Sequence, residues 1–179
     1  MIYAVLSQDD AVIGAEEGSE PPISAVEIDA DLAIALSAHP YGLGVWDRCL
    51  CGGFVINAER LAANVEAHLS RALAARRYDE EVAGVTWRGL SIATDRASQS
   101  KLHVAYTMAR DGVRVDGSTW KCADGVARPM SNADMIDLAL RVGAYVQACF
   151  DVEATKAEEL RTSGAVDIDA GWPSRDITG

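Results

Sequence analysis

SNADMIDLALRVGAYVQACFDV, residues 131–152, is the stretch around which the fold is built. Ser131 or Asn132 is placed to cap a helix running from Ala133 to about Leu160, since a short polar side chain can take up the free amides of a first turn. Asp134 stands in that turn, where the helix dipole favours a carboxylate. Two apolar ridges follow. Ile136, Leu140, Gly143, Val146 and Phe150 form one; Leu138, Val142, Tyr145, Cys149 and Val152 form the other. A face this wide needs burying, which makes the helix the spine of a C-terminal core. Beyond Cys149 the pattern turns polar through Glu153, Lys156, Glu158, Glu159 and Arg161.

The residues just upstream supply short strands and a second helix. Across residues 85–93, Val85, Trp87, Gly89, Ser91 and Ala93 lie on one side of a strand, Leu90 and Ile92 on the other, with a bend or interruption at Gly89. Thr94 or Asp95 caps a helix to about Arg110, and Asp111-Gly112 ends it. Residues 113–115 and 119–122 read as strands joined by Asp116-Gly117, and Ala123-Asp124-Gly125 turns into a further strand at 126–128. Downstream of the spine, Trp172 is expected to pin the tail, with residues 174–179 mobile if isolated.

The front of the chain has another texture. Asn57 caps a helix over residues 58–83 whose stripe, Leu61, Val65, Leu69 and Ala72, is narrow. That suits a coiled-coil-like seam or a connecting helix; the alternative is an ordinary amphipathic helix packed on its own domain. Before it, the first 14 residues read as two strands around Gln8-Asp9-Asp10. Residues 16–22 (EEGSEPP) read as a loop, 23–28 as a strand and 30–38 as a helix capped by Asp29. After the stop at His39-Pro40-Tyr41-Gly42, residues 43–48 and 54–56 read as strands. The expected class is α+β: a small strand-rich N-terminal docking part (1–56), a long connecting helix (57–83) and a compact C-terminal domain with short strands and two helices (84–179).

The 179 residues include 16 Lys and Arg against 27 Asp and Glu, a formal charge of −11. Such a balance opposes binding to phosphates, so nucleic acid is not an expected partner. With 49% hydrophobic and 24% charged residues, the composition is globular rather than disordered. No apolar run reaches the roughly 18 residues of a membrane span, and the start does not resemble a signal peptide. Four cysteines are too few for a disulfide scaffold. The expectation is a soluble, acidic protein made in a reducing cytoplasm.

Little in the chain announces chemistry. His39, His68 and His103 stand apart in sequence, and no nucleophile elbow or phosphate-cradling glycine loop occurs. Cys49-Leu50-Cys51 is a tight thiol pair, but a closed zinc site needs four ligands, and the ordinary reading is small half-buried residues. Asp9-Asp10 and Asp167-Ile168-Asp169 lack the spacing of a calcium loop. Glu80-Glu81, near a helix end where carboxylates are unfavourable, reads as surface decoration or as contact with a partner's basic patch. No catalytic, cofactor-binding or metal-ligating residue is assigned, and an enzyme is not expected. Trp87 and Trp120 are expected in the core. Trp46, in a short strand with little local core, is an interface candidate together with Leu61, Val65 and Leu69.

One ordered series of short motifs goes further. Tyr78 leads into Trp87-Arg88-Gly89, Ile92-Ala93-Thr94-Asp95 and Ser98-Gln99-Ser100. Then come Trp120-Lys121, Asp124-Gly125, the long apolar helix and Gly171-Trp172-Pro173. Over about residues 76–173 this resembles a domain of unknown function that recurs in small tail proteins of tailed bacteriophages. The front part is similar to the variable N-terminal portions of tail-fibre assembly proteins. The resemblance carries no active site; Gly89 and Gly125 look like backbone necessities and Thr94-Asp95 like a helix cap.

What the resemblance implies is assembly: a structural or adaptor protein of the distal tail or fibre region, made in the host bacterial cytoplasm and carried in the virion tail. The implied partners are other phage tail or fibre proteins and further copies of the chain, a trimer being favoured, with no cofactor. The alternatives are a tail-fibre assembly chaperone and a hydrolase acting on host surface polymer, which would need two carboxylates facing one another in a cleft.

Overall fold

Alternation at the start of the chain becomes β1 (Ile2–Leu6), the middle of a three-stranded antiparallel sheet between β2 (Val12–Glu17) and β3 (Ala25–Ile28). The structure is a computed structural model and describes every residue except Pro21, Ile23, Cys51 and Gly179. The chain is α+β and divides into two units, Met1–Leu69 and Ser70–Gly179.

In the first unit Ala4, Leu6, Val12, Ile28 and Leu36 form the core. The expected loop at 16–22 begins later than the sequence suggests: Glu16 and Glu17 end β2, opposite Tyr3 and Ile2. Their exposed carboxylates are tolerated because β2 is an edge strand of this sheet, where charge also discourages stray pairing. Pro21 of that loop and Ile23 of the expected third strand lie outside the described residues. Asp29 caps α1 (Ala30–Ser37), accepting the Leu32 amide at 2.7 Å.

Only the second half of residues 43–48 is strand. Gly42, at φ +81°, turns the chain into a 3-10 segment, Leu43–Val45, before β4 (Trp46–Arg48) pairs with β5 (Phe54–Ile56). Asn57 then caps α2 (Ala58–Val82) through a 3.0 Å bond from the Arg60 amide.

The second unit opens with a hairpin where a single bent strand was expected. Residues 85–93 form two strands, β6 (Val85–Trp87) and β7 (Leu90–Ile92), around a two-residue turn in which Arg88 and Gly89 both have positive φ, 47° and 76°. Directly opposed residues of an antiparallel pair point the same way, so Ile92 joins its partner Val85 and Trp87 in the core instead of lying opposite to them.

Asp95 caps α3 (Arg96–Arg110), accepting from the amides of Ala97 and Ser98. Residues 113–115 are not a strand. Val113 and Val115 are exposed, while Arg114 between them turns inward to donate to the carbonyls of Met130 and Ser118. β8 (Thr119–Lys121) and β9 (Ala127–Pro129) form the hairpin signalled by Asp124-Gly125.

Ser131 caps α4 (Asn132–Ser163), which ends at Gly164 with φ +73°. Met135, Leu138, Val142, Tyr145 and Cys149 face the core shared with Trp87, Ile92 and Leu102, and half-buried Trp120 packs on its margin.

The tail is anchored rather than isolated. Trp172 does pack against this core, its Nε1 donating to the Ile168 carbonyl at 2.9 Å. The following residues are held as well. Thr86 donates to the Arg175 carbonyl at 2.8 Å, Ile177 donates to the Thr86 carbonyl at 2.9 Å, and Arg88 N donates to Thr178 Oγ1. Residues 175–178 thus run along β6, with a parallel bridge between Thr86 and Asp176.

Candidate functional site

In the first unit, Trp46 begins β4 and is half-buried against the core. The His39 ring meets it edge-on at 5.8 Å, and its indole Nε1 is covered without a hydrogen-bond partner. Leu61, Val65 and Leu69 lie on α2 at intervals of four residues, each partly exposed. His68, on the same helix, is exposed and meets Tyr41 at 5.8 Å, edge to face.

In the second unit the two ridges of α4 have different fates. The Leu138–Val142–Tyr145–Cys149 ridge is buried. The other stays largely open: Leu140 is 58% exposed and Phe150 43%, and Gly143 is exposed between them. The expectation that the whole wide face is buried within the chain is therefore overturned. Short hairpins, α3, the end of α2 and the tail cover only one side of this 32-residue helix. Together with Gln99, Leu102, His103 and Tyr106 of α3, the open ridge lines a groove of about 500 Å³. Sequence patterning signalled both ridges but could not say which would find cover.

Sequence reasoning missed a second feature. Glu80 and Glu81 are buried, not surface decoration, because arginines one turn earlier and in the tail surround them. Glu80 accepts from Arg76 at 2.5 Å and from Arg175 at 2.7 and 2.9 Å. Its backbone carbonyl takes the Tyr145 hydroxyl at 2.8 Å. Glu81 is held by Arg77 and by Gln99 at 3.2 Å, and Arg77 also reaches Glu153 while its guanidinium lies 4.5 Å from the centre of the Phe150 ring. Spacing of i to i+4 between Arg76 and Glu80, and between Arg77 and Glu81, was the available signal.

Burial opposes the charge on Glu80, but the hydrogen bonds from Arg175 and Arg76 outweigh it and hold its carboxyl below the ordinary glutamate range. Burial pushes the Tyr145 hydroxyl up to about 12 and raises the Cys149 thiol as well. A carboxylate with a depressed folded-state value contributes stability that is present above the unfolded value and lost as pH falls through the folded one. Glu80→Gln is accordingly expected to cost about 2 kcal/mol at neutral pH, the range for hydrogen bonds to charged groups. The deficit should shrink as pH falls below 4.5, the ordinary value. Urea unfolding of parent and variant at a series of pH values reads this; a deficit that does not change with pH removes the assignment.

Among the described residues no group of three or more His, Cys, Asp and Glu is arranged to hold a metal ion. Cys122 and Cys149 are buried free thiols, whereas Cys51 of the tight pair lies outside the described residues. His39 Nδ1 accepts the Tyr41 amide at 3.3 Å, and His103 stacks on Tyr106 beside the groove. The acidic triplet is a local turn, the Asp167 carboxylate accepting the amides of Asp169 and Ala170. No described helix is long and apolar enough to cross a membrane.

A protein-family model described as Domain of unknown function (DUF4376) matches residues 64–172. No curated protein and no solved structure matches the chain.

Proposed function

The chain belongs to the DUF4376 family, and from that premise we propose that it is a non-enzymatic structural or adaptor protein of a bacteriophage tail, placed in the distal tail or fibre region. The observation that carries a role in assembly is apolar surface left without cover at helical spacing. Leu61, Val65 and Leu69 are partly exposed on α2, and Leu140 and Phe150 are exposed on α4. Exposed apolar side chains in a row along a helix offer soluble chains a way to dock other proteins. The motif series from Tyr78 to Pro173, with its likeness to small tail proteins, supports the location. In this reading Trp46 and the Leu61/Val65/Leu69 stripe engage other tail or fibre chains, and the second unit is an independently folded knob.

Quantitative mass spectrometry of purified particles from the source phage tests the location. A fixed copy number relative to a tail protein of known stoichiometry is expected. Absence from particles with abundance in the lysate would make the protein an assembly chaperone instead. For the surface, Val65→Asp with Leu69→Asp should abolish incorporation while the second unit remains folded. Normal incorporation of that double variant would remove the docking role of the stripe.

A further inference from the structure

The outer side of α4 has a regularity of its own. Ile136, Leu140, Gly143, Gln147 and Phe150 succeed one another at intervals of four, three, four and three, and Ala154 and Ala157 continue the series. A repeat averaging 3.5 residues is the signature of a helix lying along a second helix, with large side chains entering spaces between smaller ones. The inward ridge has its partners in the core. Leu140, Gly143 and Phe150 of the outward series are exposed, beside the groove walled by Gln99, His103 and Tyr106 of α3.

We propose that this α3–α4 face docks a second copy of the chain, two helical pairs closing a four-helix bundle about a two-fold axis. Charge favours a like partner here. Residues 1–69 hold two of the 16 Lys and Arg and eleven of the 27 Asp and Glu, and so carry −9 of the −11. Residues 70–179 carry only −2, and no Asp, Glu, Lys or Arg lines the groove. Two copies of an acidic protein repel least where the acid is not, whereas a basic partner would be drawn to the first unit.

Area sets the strength of the pairing. At a rise of 1.5 Å per residue, the outward series of α4 from Ile136 to Ala157 and the groove wall of α3 from Gln99 to Tyr106 span roughly 33 and 12 Å. Strips roughly 10 Å wide then give about 450 Å² per copy, below the ~800 Å² of a standard interface and suited to a weak, reversible dimer. Gly143 sits mid-stripe with nothing within 4 Å of where a Cβ would stand. The gap admits a side chain such as Leu140 from a copy crossing there, and two-fold symmetry makes the exchange mutual.

The pairing does not depend on where the protein works. A dimer in solution would stand if the protein were missing from virions, and a monomer would leave the virion assignment open. The test is sedimentation equilibrium of the full chain up to about 100 µM, where a micromolar dimer is largely assembled. The expected mass is twice 19.0 kDa, and added salt should weaken association little because no Asp, Glu, Lys or Arg lines the groove. Gly143→Glu and Leu140→Glu should each return the protein to its single-chain mass.

Circular dichroism and thermal unfolding check that the variants fold. The space around Gly143 makes its substitution harmless to the isolated chain, so Gly143→Glu decides the matter should Leu140→Glu unfold. A parent protein that stays at its single-chain mass throughout overturns the proposal. So does an oligomer that Gly143→Glu leaves intact, and a trimer would replace the two-fold pairing.

Discussion

Trp87→Ala is expected to destabilise the second unit by about 4 kcal/mol, within the range for emptying an aromatic site in a core. Trp87 is 3% exposed and lies among Val85, Ile92 and Met135 in the core centred on α4. Its indole also donates to Asp137 at 3.0 Å, and the Arg88 guanidinium lies 4.5 Å from the centre of its ring. Removal therefore opens a cavity, leaves Asp137 to Arg141 and Arg88, and takes away the surface on which Arg88 rests. That last loss matters because Arg88 holds a left-handed backbone, a conformation that costs a residue with a side chain about 1 kcal/mol. Trp87→Phe should recover most of the deficit by restoring apolar volume. Urea unfolding midpoints for the three proteins give the answer. A loss below about 1 kcal/mol for the alanine variant would mean the hairpin is not part of the core.

Truncation after Pro173 is expected to cost about 2 kcal/mol, on a par with Glu80→Gln. The tail supplies two backbone bonds to Thr86, the Thr178 hydroxyl to the Arg88 amide and a carbonyl to Arg141 at 3.1 Å. It also packs half-buried Ile177 on the core and places Arg175 against Glu80. Each neutral bond contributes about 1 kcal/mol net, and stripping a guanidinium from a buried carboxylate costs more. The sum exceeds 2 kcal/mol, but ordering a residue's backbone costs roughly 1–2 kcal/mol, and a truncated chain avoids that expense. Arg175→Ala should reproduce part of the loss without shortening the chain. Hydrogen exchange at the Thr86 amide provides a second reading: protection should collapse on truncation, and unchanged protection would show that the strand does not rely on the tail.

The helix starts were legible because a cap is a local event. Asp29, Asn57, Asp95 and Ser131 each bond to an amide two or three residues ahead, so their short windows of sequence contain the whole interaction. The hairpin at Arg88-Gly89 was obscured because arginine gives no hint of a left-handed backbone. Its support comes from Asp134 and Asp137, more than forty residues away.

Glu80 was misread for the same reason: half its charge partnership arrives from Arg175, 95 residues later. The strand along β6 likewise joins Thr86 to residues near the far end. Of the candidate interface residues, the spacing of Leu61, Val65 and Leu69 was plain from the helical period. The open side of α4 was not, because periodicity shows that a ridge is apolar without showing what else is available to lie on it.

That distant strand also sets an order on biosynthesis. The sheet of the first unit is closed by pairings within residues 2–28, whereas the second waits for residues 175–178 to reach β6. With translation adding about 5–20 residues per second, the 110 residues of the second unit emerge over roughly 5–20 s. Through most of that interval the first unit can already be folded, while the nascent second unit presents an unpaired strand edge and a Glu80 carboxylate served by Arg76 alone. A ribosome paused late in the message would display the chain in that half-closed form.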